Sequence, residues 1–209
     1  MVRPGAAPVT LGLTIVSVAA FVLARLIWPA DFVSEQLGFI PLRVSAAAQG
    51  FVVPLALTPL SCTLAHGDMW HLGLNMLMLV WCGRGVETVI GPWPMLVLYG
   101  VGAYLAAAAQ WLVEPGSIVP MIGASGAISG VLAVYALLFG RNEVKRIGPI
   151  PAHWVRALWL ALAWTGVQWM IGLATRGGGY EIATAAHIGG FLAGLALARP
   201  LLAWRYRGA

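Results

Sequence analysis

The sequence predicts an all-α membrane protein: six transmembrane helices in one bundle, with a membrane-associated first loop. Two observations predict this. Hydrophobic residues make up 60% of the chain and charged residues 9%, against roughly 25% charged in globular domains. Apolar runs of roughly 18 residues or more, enough to cross a bilayer, recur along the chain and are cut by Pro, Gly and charge.

The runs place helices at about 8–28, 68–89, 92–113, 125–141, 155–173 and 183–202. The first is too long for the apolar part of a signal peptide and lacks a small-residue cleavage site, so it reads as a retained helix. Gly91-Pro92 divides the second helix from the third. Glu114-Pro115-Gly116 ends the third, and Arg176 with three glycines precedes the sixth. Residues 44–64 carry no charge and have the length of a span. Pro54 and Pro59 each lack a backbone donor there, and Ser45, Gln49, Thr58, Ser61 and Thr63 dilute the apolarity. The expectation is a loop in or on the outer leaflet, built of short helical pieces. Residues 1–209 then form a single membrane domain.

Lys and Arg set the orientation. With six helices, one side holds Arg3, Arg84, Arg141, Lys145, Arg146, Arg156, Arg199, Arg205 and Arg207. The other holds Arg25, Arg43 and Arg176. Both termini are therefore expected in the cytoplasm. A seventh span at 44–64 would put the N-terminus outside and move Arg3, Arg25 and Arg43 each to the opposite side, leaving the orientation from residue 68 onward unchanged. The net charge of +5 comes from residues scattered near helix ends, which suits membrane lipid headgroups and gives no stripe for nucleic acid. Cys62 and Cys82 lie too far apart to bridge and are expected free. A short chain without a targeting extension suggests a bacterial inner membrane, with an organelle membrane as the alternative.

Helix parity brings four polar side chains to one depth. His71 and Asn75, at i and i+4, share a face near the outer end of the second helix. Ser125 opens the fourth helix at its outer end. His187 lies about one turn into the sixth. Polar groups in hydrocarbon are costly and face a bundle interior or a wet cavity. Ser125 with His187 makes a nucleophile and a base. The Ser125 backbone N–H, the His71 ring and the Asn75 amide are candidate oxyanion donors, each worth roughly 3 kcal/mol.

Among the carboxylates, Glu181 is badly phased with His187 and Asp68 sits at the water surface, so a dyad is expected, with His187 oriented by packing. Gly126 with Gly130, and Gly190 with Gly194, form two small-xxx-small pairs that let these helices touch. Gly123 leaves room for a substrate backbone beside Ser125.

Each residue alone has a plainer reading. A helical serine bonds its own backbone, and His71 with Asn75 can join helices. Glu87 with Arg84, three apart, reads as a local ion pair. His66 and His153 read as interfacial, and the His66–His71 spacing lacks the i,i+4 arrangement of a zinc-binding helix, so no metal is expected.

These residues fall in motifs that resemble the rhomboid family of intramembrane serine proteases. HGDMWHLGLNM matches its H-x4-H-x3-N pattern, GASG its G-x-S-G, and AHIGGFLAG its A-H-x2-G-x3-G, in family order over about 60–202. The resemblance implies Ser125 as nucleophile, His187 as base, and His71 and Asn75 at the oxyanion with the Gly123 backbone beside them. It implies a structural role for Glu87 within GRGVE. It also implies transmembrane protein substrates, cut near their outer ends, and no cofactor. Two positions depart from the pattern. The first loop offers only Arg43 for the usual Trp-Arg. Ser129 stands where an aromatic residue usually supports the histidine, which implies a looser hold on His187. A non-catalytic relative that binds transmembrane helices is the alternative. A small transporter is disfavoured, since no inverted repeat is evident.

Overall fold

The computed structural model describes residues 6–46, 52–140, 144–174 and 182–207. Among these the chain is helical, with no strand. In order, the helices are α1 (Pro8–Ile27), α2 (Ala30–Leu37), α3 (Thr58–Ser61), α4 (Met69–Ile90), α5 (Pro92–Val113), α6 (Ser125–Phe139), α7 (Ala152–Ala174) and α8 (Thr184–Arg205). Four of them, α1, α5, α7 and α8, are long and apolar enough to cross a membrane.

The six sequence-predicted helices all form, with shifted ends. Gly140 ends α6 early, and Arg141 lies outside the described residues, as do Arg3, Arg176 and Glu181. α8 continues past the expected stop at 202 to Arg205, with Pro200 inside it. The first loop is built of short pieces: α2, a 3₁₀ turn at Pro41–Val44, another at Leu55–Leu57, α3, and a last turn at Cys62–Leu64. No described part of 44–64 makes a continuous spanning helix. The Arg43 guanidinium donates to the Val53 carbonyl at 3.0 Å, and the Ser61 hydroxyl donates to the Leu37 carbonyl at 2.7 Å.

The core is shared by α1, α4, α5, α6 and α8: Leu79, Val86, Ile90, Met95, Leu98, Val131 and Val134 are fully buried within it. Glu87 is buried there too, and the expected pairing with Arg84 does not form. Its carboxylate instead accepts from the Val9 and Thr10 backbone N–H groups at 2.9 and 2.7 Å, and from the Thr10 hydroxyl at 2.7 Å. The first turn of a helix carries unpaired N–H groups and positive dipole charge. An acid from α4 therefore ties down the start of α1.

The glycines of α6 and α8 bring two backbones into contact. A Cβ on Gly190 would run into the Gly126 carbonyl, and one on Gly194 into the Gly130 carbonyl. α5 joins the same seam: a Cβ on Gly102 would stand 3.3 Å from the Ala127 carbonyl oxygen. α7 is different. Its other residues are exposed or half-buried, and its one buried residue is Gln168.

Candidate functional site

The segment leading into α6 fixes the first polar group. Met121 exchanges two backbone hydrogen bonds with Phe39 of the first loop, at 3.0 and 2.9 Å. Gly123 follows at φ +106°, a conformation that favours glycine, and its N–H donates to the Cys62 carbonyl at 2.9 Å. The loop thereby holds the residues just before Ser125, which begins α6.

His187, on α8, reaches Ser125 across the glycine seam. Its Nε2 lies 2.7 Å from Ser125 Oγ. Its Nδ1 lies 2.9 Å from Gln168 Oε1 of α7. The Trp164 indole N–H donates to the His187 carbonyl at 3.2 Å, and the Trp164 ring stacks on Phe191 with centroids 5.0 Å apart. Ser129, in the place of the expected aromatic, turns away and donates to the Ser125 carbonyl at 2.8 Å. Orientation of His187 by packing alone thus needs correction, because the ring has a hydrogen-bond partner on each nitrogen. The sequence reading does not single out Gln168, whose bond to His187 joins two helices; the one available signal is an amide in an otherwise apolar run.

His71 enters from α4. Asp68 caps that helix, accepting from the His71 N–H at 2.8 Å. The capping bond from His71 holds the Asp68 carboxyl below its ordinary pKa. The Gly67 N–H donates to His71 Nδ1 over a long 3.5 Å, a contact compatible with a proton on Nε2. That nitrogen sits beside Gly123: a Cβ there would come within 2.5 Å of it. The room at Gly123 is therefore filled by the His71 ring and not kept for a substrate backbone. Since the Gly123 N–H is committed to Cys62, what the residue gives the site is space, not a donor. Asn75 is buried and spends one of its two amide N–H donors on the His71 carbonyl, at 2.8 Å.

His66, read as interfacial from the sequence, packs inside the protein. It is buried at 5% exposure, with its ring edge-on to His71 at 5.1 Å between centroids. Burial, with His71 nearby, pushes its pKa down to about 4. His153 lies far from these groups, 2.6 Å from an Arg199 guanidinium nitrogen. Cys62 and Cys82 are free and buried.

The match to a family model decides the relationship: residues 56–204 fit the Rhomboid domain. The chain belongs to the rhomboid family. Among curated rhomboid relatives, it is 33% identical over 137 residues to "Rhomboid protein 1, mitochondrial" of Saccharomyces cerevisiae, covering 63% of this chain and 38% of that one. It is 30% identical over 153 residues to "Rhomboid-type serine protease 2" of Emericella nidulans, covering 70% and 25%. It is 32% identical over 147 residues to "Rhomboid-like protein 11, chloroplastic" of Arabidopsis thaliana, covering 66% and 49%. This rhomboid thus spans between a quarter and a half of each relative's length. Two of these names designate organelles, and none supports the bacterial inner membrane expected from the sequence.

Proposed function

We propose that this rhomboid is an intramembrane serine protease acting on transmembrane proteins, with Ser125 as nucleophile and His187 as general base. The observation that carries the reading is the 2.7 Å approach of His187 Nε2 to Ser125 Oγ, the distance proton transfer requires. His187 takes the hydroxyl proton as Ser125 Oγ attacks a peptide carbonyl. It returns that proton to the nitrogen of the leaving amine as the C–N bond breaks. Water then attacks the Ser125 ester, giving its proton to His187, and the freed serine recovers it. The His71 Nε2–H, the second Asn75 amide N–H and the Ser125 backbone N–H stabilise the oxyanion of each tetrahedral intermediate.

In this reading α4 and α6 complete six crossings, with both chain ends on the basic side. His71, Asn75, Arg84 and Glu87 lower the apolarity of α4. α6 has 15 residues, about 22 Å of helix, against roughly 30 Å of hydrocarbon. A short α6 sets Ser125 below the outer surface, where an unwound end of a substrate helix can reach it and water can follow.

The test is cleavage of a model transmembrane substrate by the purified protein in detergent. Loss of cleavage in Ser125→Ala supports the reading, and cleavage at the parent rate overturns it. The alternative, a helix-binding rhomboid without chemistry, predicts no covalent labelling by a serine-directed fluorophosphonate.

A further inference from the structure

The hydrogen bond between His187 Nδ1 and Gln168 gives the site a component that the serine–histidine reading lacks. We propose that Gln168 is the positioning residue for His187, with its side-chain oxygen holding the imidazole in the one tautomer that can accept the Ser125 proton; the proposal rests on the function given above.

Neutral imidazole carries one proton, on either nitrogen. Only a bare Nε2 can take the Ser125 hydroxyl proton. Gln168 Oε1 accepts and cannot donate, so at 2.9 Å from Nδ1 it places the proton there. The lone pair of Nε2 then faces Ser125 Oγ at 2.7 Å. Turning the Gln168 amide over would set its NH₂ against Nδ1, favour the proton on Nε2, and remove the base.

The packing of α7 supports the assignment. The other residues of the helix are exposed or half-buried, and Gln168, at 3% exposure, is its only buried residue. A buried amide is costly without partners, and more so in hydrocarbon. A structural demand for close packing here would be met by an apolar side chain. The amide instead ends on the imidazole. Trp164, one helical turn earlier on the same helix, donates to the His187 carbonyl and stacks on Phe191, so α7 holds both the backbone and the ring of one residue. Ser129 is turned into its own helix, so the position that would carry a supporting aromatic contributes nothing to the ring. Among the described residues, the titratable group that acts on His187 from another helix is His71 of α4; α6 brings the Ser125 hydroxyl, and α7 brings Gln168 and Trp164.

The experiment uses the full chain in detergent, with histidine ring nitrogens labelled with ¹⁵N and His187 identified by its missing signals in His187→Phe. The parent is expected to show a protonated Nδ1 and a bare Nε2. Gln168→Met, similar in volume, is expected to give mixed tautomers and to lower kcat about tenfold with KM unchanged, the worth of one neutral hydrogen bond. Gln168→Glu, which keeps an acceptor at the same place, is expected to restore the single tautomer and most of kcat. A parent with the proton on Nε2, or a Gln168→Met protein with an unchanged tautomer and kcat, overturns the proposal. Because the ring signals need no turnover, they test Gln168 even if the chain proves inactive, and an inactive chain with the expected tautomer would fault the protease reading alone.

Discussion

The seam between α6 and α8 and the attachment of α7 hold the same histidine in opposite ways. In the seam, glycine lets backbone meet backbone, and Gly190 and Gly194 have no room for even a methyl group. α7 touches the bundle through a few long side chains, with Trp164 and Gln168 reaching His187. Backbone contact tolerates no change in size, because the neighbours cannot move without moving a helix. Side-chain contact can be lost piece by piece. The seam therefore fixes where His187 stands, and α7 fixes which way its ring is protonated and turned.

The largest effect should come from filling the seam. Gly190→Val should cost about 3 kcal/mol or more, abolish cleavage, and lower the thermal unfolding midpoint in detergent. Leu162→Ala, on the outer face of α7 at 63% exposure, should leave both near the parent. Equal effects from the two substitutions would erase the contrast.

Next is the tie between α4 and α1. Glu87→Leu leaves the buried Thr10 donors and the half-buried Val9 N–H without an acceptor, and should cost about 1.5–3 kcal/mol. Thermal unfolding and earlier proteolysis of α1 would measure it, and an unchanged midpoint would show that the carboxylate does not hold that helix.

Smaller again is Trp164→Ala, which removes the stack on Phe191 and one bond to His187. A stack of this kind contributes about 0.5–1.5 kcal/mol beyond its area. Cleavage should fall several-fold more than a matched loss of stability explains, since the indole contacts the base's own backbone. A fall in stability with full activity would place Trp164 in packing only.

Much of this was legible in the sequence, and what was hidden shares a cause. The helices follow from long apolar runs cut by Pro and Gly, and the four polar side chains converge because parity and periodicity act along one chain. Gly126, Gly130, Gly190 and Gly194 were legible because small-residue spacing reports a close crossing. Glu87 was misread because Arg84 is near in sequence, whereas its partners lie 77 and 78 residues away. Gln168 was missed for the same reason: its bond joins two helices and follows from no local spacing. Gly123 was read as room for a substrate backbone, whereas the His71 ring takes up that room, a contact between distant parts of the chain that no local spacing reports.

The smallest effect concerns pH. His66 is neutral when folded, with its pKa pushed down to about 4, and takes up a proton near pH 6.5 when unfolded. The unfolded chain thus binds more protons between those values, so stability is full above about pH 6.5 and falls as pH drops toward 4. The unfolding midpoint should decline from pH 7 to pH 5, and His66→Phe should flatten that decline. An equal slope in both proteins would remove His66 as its source.

The central claim, that Ser125 is a nucleophile activated by His187, is tested most directly by locating a fluorophosphonate adduct by mass spectrometry. The account predicts the adduct on Ser125 in the parent, with labelling slowed about 10²–10⁴-fold in His187→Ala. An adduct on another residue, no adduct, or labelling of Ser125 at the parent rate without His187 would contradict it.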